Sequence, residues 1–494
     1  MVTTTRVHIV SLGCARNDVD SEELAGRLEA GGFRLVDQPA DAEAIVVNTC
    51  GFIESAKKDS IDTLLAAADL KGVGATRRVV AVGCMAERYG RELADALPEA
   101  DAVLGFDDYA DIDSTLRRIM AGEHHDAHLP SDRRRLLPLA PAQRQAAALG
   151  VSIPGMSHPT PAPDLAGAAR HLPDLPDGLA PASGPRPVRR RLGGGPSAAV
   201  KIASGCDRRC AFCAIPSFRG SFVSRPVHEI VDEVRWLADH GVREAFLVSE
   251  NTSSYGKDLG DPNALTTLLR ELGRIQSLDW VRVSYLQPAE IRPGLIEAMC
   301  SIDRVVPYFD LSFQHAAPGV LRRMRRFGDP DNFLGLLDRI RGLRPDAGVR
   351  SNVIVGFPGE TDADVQTLID FVASARLDAL GVFAYSDEEG TEGATLPGHV
   401  DEDTIAARYE QVSELAAELL DQRAAERVGS RVQVLVESRE GDLAVGRAAH
   451  QGPEVDGTTS LADAAGRLTV GDLVWGRVAA SEGVDLIARE EASA

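Results

Sequence analysis

The sequence predicts an α/β protein with three structured parts: an N-terminal open parallel sheet with helices, a central (β/α) barrel, partial or complete, and a small C-terminal antiparallel β-barrel. Three observations predict this. Two blocks, residues 1–125 and 198–429, alternate short apolar runs with helical stretches. Residues 430–494 change to short alternating runs broken by Gly and Asp turns. Between the two α/β blocks, residues 126–197 carry 13 of the chain's 27 prolines.

In the first block the strand-like runs are Val7–Leu12, Ala44–Val47 and Val79–Val82. Short, near-continuous apolar runs of this kind suit strands buried on both faces. Helical stretches lie between them at Ser21–Ala30, with Ser21 as N-cap, and at Glu54–Ala68. The segment 126–197 is otherwise Ala, Gly, Ser and Arg without a stable period. It buries too little apolar surface to offset its ordering entropy and reads as a linker or insertion. The arginine triplets at 133–135 and 189–191 read as solvated charge, with a binding role as the alternative. His124, His125 and His128 likewise read as solvated.

The second block holds six strand-like runs: Ala199–Ala203, Ala245–Val248, Trp280–Tyr285, Tyr308–Phe313, Arg350–Val355 and Ala379–Ala384. Helices such as Val227–His240 and Asp362–Ala375 fit between them, as in a barrel of (β/α) units. A long helix, Glu402–Val428, closes the block. The last part has the runs Arg431–Glu437, Leu443–Ala448 and Leu473–Ala479.

Composition narrows the class. The chain has 494 residues, 44% of them apolar and 26% charged, which excludes collagen-like, coiled-coil and wholly disordered proteins. Lys and Arg number 53 against 74 Asp and Glu, a net charge of −21. That balance makes a poor general nucleic-acid binder and suits a basic protein partner. No apolar run approaches the ~18 residues of a membrane span. The polar start Met1–Arg6 is no signal peptide, and the expected location is cytoplasmic. There the seven cysteines read as metal ligands or catalytic thiols, not disulfides.

Cys206, Cys210 and Cys213 lie in SGCDRRCAFCAIPSFRG, just after a predicted strand. Three closely spaced thiols can wrap one face of an inorganic cluster. Thiolates are the ligands of iron–sulfur clusters, where four are usual. No fourth ligand is near, so one iron would keep an open position, as catalytic metals do. A structural zinc knuckle is the alternative, although zinc sites favour paired CxxC units with a fourth Cys or His.

This CxxxCxxC segment resembles the radical S-adenosylmethionine (radical SAM) family. The resemblance implies a central barrel of radical SAM type with a 4Fe-4S cluster on Cys206, Cys210 and Cys213, the catalytic cysteines. The open iron chelates the methionyl amine and carboxylate of the cofactor, and reduction cleaves its sulfonium to a 5′-deoxyadenosyl radical. Val353–Thr361, VIVGFPGET, resembles the family's motif near the adenosyl group. Gly356, Pro358, Gly359 and Glu360 are then cofactor contacts; the other reading is an ordinary strand-to-helix turn. Leu247–Gly256, LVSENTSSYG, ends another strand in polar residues, where barrels carry their chemistry. Glu250 and Asn251 there either contact cofactor or substrate or cap the loop.

Cys14, Cys50 and Cys84 are separated by 36 and 34 residues, yet each ends an apolar run: VHIVSLGC, AIVVNTC and VVAVGC. Parallel strands present their carboxyl ends at one edge, so the three thiols can converge. Gly13, Gly51 and Gly83 beside them leave room for a bulky cluster. The alternative is three unrelated buried cysteines. Cys300, in GLIEAMC, reads as core.

Three distributed cysteines, then CxxxCxxC, then a small β domain: in this order the chain closely resembles the methylthiotransferase family, over nearly all its length except the Pro-rich segment. The resemblance implies two 4Fe-4S clusters, the second on Cys14, Cys50 and Cys84, and a C-terminal TRAM module that binds substrate. It implies sulfur insertion into an unactivated C–H bond, with a methyl group from a second S-adenosylmethionine. Asn17, Asp20 and Asn48 also match the family's motifs, either orienting the cluster loops or capping.

Family members modify adenosine in transfer RNA or an aspartate of small-subunit ribosomal protein S-twelve. AIPSFRG after the cysteines resembles the ribosomal-protein enzymes. Tyr385–Thr391, YSDEEGT, is acidic, and residues 430–494 hold 6 Arg against 11 acidic residues. Such surfaces attract a basic ribosomal protein and repel phosphate. The expected function is methylthiolation of the β-carbon of that aspartate, with an electron donor such as flavodoxin or ferredoxin. No membrane partner and no nucleic-acid substrate are expected. Modification of transfer RNA is the alternative enzyme reading; an iron–sulfur electron carrier and a zinc-stabilised binding protein are the non-enzymatic ones. His315, in FDLSFQHAAPG, is either at the active site or in the core, and the arginines of LRRMRRFG read mostly as an exposed helix face.

Overall fold

The computed structural model describes residues 4–133, 189–441, 443–453, 456–462 and 467–491. The linker reading of 126–197 falls outside the described residues from 134 to 188, as do Arg134 and Arg135.

Strands β1 (Arg6–Ser11), β2 (Arg34–Leu35), β3 (Ala44–Thr49), β4 (Arg78–Gly83) and β5 (Ala102–Val103) form one parallel sheet in the order β2-β1-β3-β4-β5. Helices α1 (Ala15–Ala30), α2 (Glu54–Asp69), α3 (Cys84–Ala96) and α4 (Ile112–Met120) accompany it. Alternate residues of β3 face opposite layers. Ala44 and Val46 share a core with Leu24 of α1 and Leu116 of α4. Ile45 and Val47 share another with Leu64 of α2 and Leu93 of α3. Burial on both faces is why these strands read as unbroken apolar runs.

Helix α1 starts at Ala15, not at the expected cap Ser21. Gly13, at φ +96°, turns the chain at the end of β1 and leaves Cys14 extended just before the helix. Ser21 lies inside the helix. Its hydroxyl donates to Ser11 Oγ at 3.0 Å and accepts from Asn48 Nδ2 at 2.8 Å, so a buried network uses it instead of a cap.

The middle of the chain starts with β6 (Ser197–Lys201), followed by a short antiparallel pair, β7 (Ala203–Ser204) and β8 (Val223–Ser224). Then come β9 (Glu244–Val248), β10 (Trp280–Val283), β11 (Tyr308–Gln314), β12 (Gly348–Val355) and β13 (Ala379–Ala384). Strands β6, β9 and β10 pair in parallel, as do β11, β12 and β13. Bridges Val281–Val305 and Leu286–Leu311 join the two halves. Strands β6 and β13 are each paired on one side, so this is an open, partial barrel. Its helices are α5 (Ile215–Arg219), α6 (Val227–Asp239), α7 (Ala264–Leu272), α8 (Pro293–Ser301), α9 (Pro318–Arg323), α10 (Pro330–Leu343), α11 (Asp362–Ala375) and α12 (Glu402–Ala425). A capping box starts α11: Thr361 Oγ1 accepts from the Asp364 N–H at 3.3 Å, and Asp364 accepts from the Thr361 N–H at 3.0 Å. Helix α12 lies along β13.

Strands β14 (Arg431–Glu440), β15 (Leu443–Ala448), β16 (Thr459–Ala462), β17 (Leu473–Glu482) and β18 (Asp485–Glu490) close a small barrel in the order β14-β15-β16-β18-β17. Its pairs are antiparallel except β16 with β18. This barrel docks on the N-terminal ends of the larger barrel's strands. Glu244, first in β9, accepts from Arg282 Nε at 2.6 Å and from Arg447 of β15, and all three are buried. Burial works against the Glu244 charge, but the two guanidiniums outweigh it and hold its pKa at about 2. Leu435 packs with Trp280 and Tyr308 beside this charged group.

The solvated reading of the arginine triplets is corrected at both ends of the Pro-rich segment. Arg133 is buried, 2.8 Å from Glu87 Oε1 and 3.0 Å from Asp107 Oδ2. Arg189 is buried too, with Glu22 at 3.1 Å and Glu233 at 3.3 Å. The reason is charge balance: an acidic chain leaves carboxylates at these sites, and a buried carboxylate needs a cation. His128 joins the same group, 3.4 Å from Glu87, while His124 is exposed. No helix among the described residues is long and apolar enough to cross a membrane.

Candidate active site between two cysteine triads

Strands β1, β3 and β4 are neighbours, so their carboxyl ends share one edge. The structure brings Cys14, Cys50 and Cys84 together there: the charge of Cys14 raises Cys50, and those of Cys14 and Cys50 raise Cys84. The approach requires glycine. A Cβ on Gly13 would lie 2.9 Å from Cys50 Sγ, and one on Gly83, at φ +93°, would lie 2.2 Å from Asn48 Oδ1. Asn17 Nδ2 donates to the Leu12 carbonyl at 2.8 Å, and Asn48 Nδ2 to the Asn17 carbonyl at 2.9 Å. Both side chains are buried and orient the cysteine loops, which settles their open reading. Burial pushes the Cys50 thiol up, and Cys84 to about 11. Burial also opposes a Cys14 thiolate, yet the Arg16 guanidinium leads the groups that together hold Cys14 below its ordinary value.

Cys206, Cys210 and Cys213 lie in the loop that β7 and β8 close. The Cys206 N–H donates to the Gly220 carbonyl at 3.0 Å, and the Cys213 N–H to the Cys210 carbonyl at 3.1 Å. These thiols also feel one another, and burial pushes Cys206 up and Cys213 to about 12. In LRRMRRFG, where Arg322 and Arg325 are exposed as expected of most of these arginines, Arg326 is the exception. It is buried, with Nη1 3.6 Å from Cys210 Sγ.

The two triads face one gap because α1 carries the first onto the barrel. Ala15 packs with Phe246 and Val248, and buried Asp20 pairs with Lys201 and, at 3.0 Å, with Arg219. Arg219 also donates to Cys84 Sγ at 3.1 Å and Asn17 Oδ1 at 3.2 Å, with its guanidinium 4.8 Å from the Phe106 ring centre. Glu250, just beyond β9, is 1% exposed, 3.8 Å from Arg16 and 3.7 Å from Arg219. Neither of its carboxylate oxygens has a hydrogen-bond partner. Its charge reaches Cys206, while that of Arg16 reaches Cys14 and Cys213, one thiol of each triad. A charged group of Arg16, Glu250 and Arg219 therefore spans the gap. Sequence reasoning left both arginines without a role: Arg16 stands two residues after Cys14, which was an available signal, whereas Arg219 lies six residues beyond Cys213 and nothing local marks it.

Other expected residues take quieter places. Asn251 Nδ2 donates to Ser254 Oγ at 2.8 Å and holds its loop. Glu360 Oε1 accepts from the Gly356 N–H at 2.8 Å and from Arg408 at 3.0 Å, so its carboxylate closes its own turn. Arg323 holds the carbonyls of Pro358 at 3.0 Å and Gly359 at 2.7 Å. His315 is fully buried; its Nδ1 accepts from the Ala317 N–H at 3.0 Å and its Nε2 faces Glu360 at 3.3 Å, the core reading. Cys300 lies at the margin of the barrel core. In the acidic 385–391 loop, Glu388 accepts from Lys57 at 3.0 Å and Arg88 at 2.9 Å. It fastens the loop to the N-terminal domain, while Asp387 and Glu389 beside it stay exposed.

Among the described residues no three His, Cys, Asp or Glu side chains converge as ligands of a single metal ion. A cubane cluster asks for something different, one thiolate on each of several irons, and two glycine-lined triads of mutually felt thiols fit it.

Comparison with known proteins matches residues 6–105 to "Uncharacterized protein family UPF0004", residues 200–372 to the Radical SAM superfamily and residues 428–490 to the TRAM domain. A protein named ribosomal protein uS12 methylthiotransferase RimO from Cutibacterium acnes is 64% identical over 483 residues, which cover 98% of this chain and 97% of that one. Its namesake from Streptomyces coelicolor is 61% identical over 493 residues, 99% and 97% of the two chains. A similar solved structure is the radical S-adenosylmethionine methyltransferase TsrM from Kitasatospora setae with tryptophan substrate and a SAM analog bound. It is 14% identical and covers 77% of this chain and 73% of that one, with a TM-score of 0.49.

Proposed function

We propose that this chain, which belongs to the family of ribosomal protein uS12 methylthiotransferases, attaches a methylthio group to the β-carbon of an aspartate in uS12, the small-subunit protein S-twelve. The observation that carries this is the meeting of two cysteine triads across one buried, charged gap, in a chain that aligns end to end with enzymes of that name. The parts divide as follows: 1–125 holds the auxiliary cluster, 126–197 links, 198–429 is the radical SAM domain, and 430–494 is the TRAM-like substrate-binding domain.

Cys206, Cys210 and Cys213 hold one 4Fe-4S cluster and Cys14, Cys50 and Cys84 a second. When bound, these clusters and S-adenosylmethionine supply a radical that takes hydrogen from the β-carbon, sulfur for the new C–S bond, and the methyl group. The chain's own residues bind, orient and exclude water. Arg219 and Arg326 donate N–H groups toward thiolate sulfurs, which stabilises charge there. The turn of Gly356, Pro358 and Gly359 would lie against the cofactor, with Glu360 and Arg323 holding the turn in shape. The unpaired oxygens of Glu250 accept hydrogen bonds from the cofactor's donors. Cys84 is buried and the other five thiols are half-buried, which limits the access of water to the reacting atoms. A soluble carrier such as flavodoxin or ferredoxin supplies electrons, and the enzyme works in the cytoplasm, where ribosomal proteins are made.

Peptide mass spectrometry of uS12 from cells with and without the gene tests this reading. The expected result is a methylthio increment on one aspartate that disappears in the deletion strain. Unmodified uS12 in both strains, with a methylthio-adenosine lost from transfer RNA, would move the substrate to RNA.

A further inference from the structure

We infer that Arg16 is the residue that takes the carboxylate of the target aspartate and so selects that residue type. The inference rests on the proposed function and deepens it. The reacting β-carbon is bonded directly to the carboxylate carbon, so the carboxylate must enter the gap between the triads with it. A carboxylate taken out of water needs a cation and hydrogen bonds there.

Arg16 has the geometry. It stands in the first turn of α1, two residues beyond Cys14, and its guanidinium reaches to 3.8 Å from Glu250, just beyond β9 of the barrel. Its Nε is buried without a hydrogen-bond partner, and its ion pair with Glu250, at 3.8 Å, is too long for a hydrogen bond. The guanidinium lies 5.2 Å from the Tyr285 ring centre. Tyr285 has φ +60°, a left-handed backbone that a non-glycine residue adopts at a cost. That backbone is fixed by its N–H to Asp310 at 2.9 Å and its carbonyl to Thr252 at 3.1 Å. The strain sets the ring that supports Arg16. A planar guanidinium held this way takes a carboxylate through two parallel N–H···O bonds. An asparagine would turn amide N–H groups toward the same donors and be refused.

Arg219 also has one buried nitrogen without a hydrogen-bond partner, Nη1, but its Nη2 is already committed to Asp20, Asn17 and Cys84, which leaves its fork incomplete.

The test measures binding of fluorescently labelled uS12 to the cluster-reconstituted enzyme by anisotropy, without S-adenosylmethionine. The wild-type enzyme is expected to bind uS12 about 10–100-fold more tightly than uS12 with the target Asp→Asn change. Arg16→Met is expected to weaken uS12 to the level of the Asn form and leave the Asn form unaffected. Arg16→Lys, which keeps the charge without the fork, is expected to fall between. Iron content and cluster absorption report whether each variant is intact, and the wild-type preference can be read even if Arg16→Met is not. No preference for Asp over Asn in the wild-type enzyme, or an intact Arg16→Met that keeps it, overturns the inference. Failure of the wild-type enzyme to bind or modify uS12 at all overturns the function reading instead.

Discussion

Replacing Cys210 with alanine abolishes both cleavage of S-adenosylmethionine and methylthiolation of uS12. Cys206, Cys210 and Cys213 stand in one loop fixed by the β7–β8 pair, and that loop holds no fourth cysteine. Two thiolates cannot hold a cluster that needs three protein ligands and an open iron. Without it the C–H bond is left to uncatalysed chemistry, and enzymes exceed uncatalysed rates by ~10⁶-fold or more. The expected result is therefore loss of 5′-deoxyadenosine and of product to background by mass spectrometry. Product at the wild-type rate from Cys210→Ala would contradict the assignment. The neighbouring Arg326 contact makes the same site sensitive in a graded way, since hydrogen bonds to the sulfurs tune cluster potentials.

The largest stability effect is expected from Glu244→Ala. Glu244 is fully buried between Arg282, also fully buried, and Arg447 of the C-terminal barrel. Removing it leaves the buried Arg282 guanidinium without its carboxylate, while Arg447 keeps Glu437 at 2.6 Å; breaking a buried pair in this way costs about 3–5 kcal/mol. The loss falls on the junction between the two barrels, so limited proteolysis is expected to release the C-terminal barrel from the variant before it cuts the wild-type chain. The pH dependence has a fixed sign. The folded pKa of Glu244, about 2, lies below the ordinary carboxylate value of 4.5. Its stabilisation is therefore complete above pH 4.5 and is lost as the pH falls towards 2. Glu244→Gln is expected to flatten that part of the acid-denaturation curve. An unchanged proteolysis pattern and acid curve would sink this account of the junction.

Much of this was legible in the chain. Parallel strands buried on both faces write continuous apolar runs, so β3 and β4 stood out, and the cysteine at each strand end implied a shared edge. The CxxxCxxC spacing is local and needs no tertiary knowledge. What sequence reasoning could not reach depends on distant partners. Arg219 meets Asp20 and Cys84 only because α1 docks on β6, and nothing local to AIPSFRG announces that contact. Arg133 and Arg189 looked like solvated charge because their segment has no apolar period; their partners Glu87, Glu22 and Glu233 lie in other elements. Helix α1 was read from Ser21 because Ser is a good cap. The true start follows from the left-handed Gly13, whose role appears only when Cys50 is placed against it.

The central claim is that two cysteine triads carry two clusters with different work. The most direct test compares iron content and S-adenosylmethionine cleavage in two triple Cys→Ala variants, one at 14, 50 and 84 and the other at 206, 210 and 213. The account expects each variant to hold half the iron of the wild-type enzyme. It expects the first still to form 5′-deoxyadenosine without methylthiolated uS12, and the second to form neither. Wild-type iron content in either variant, or cofactor cleavage by the second, would contradict it.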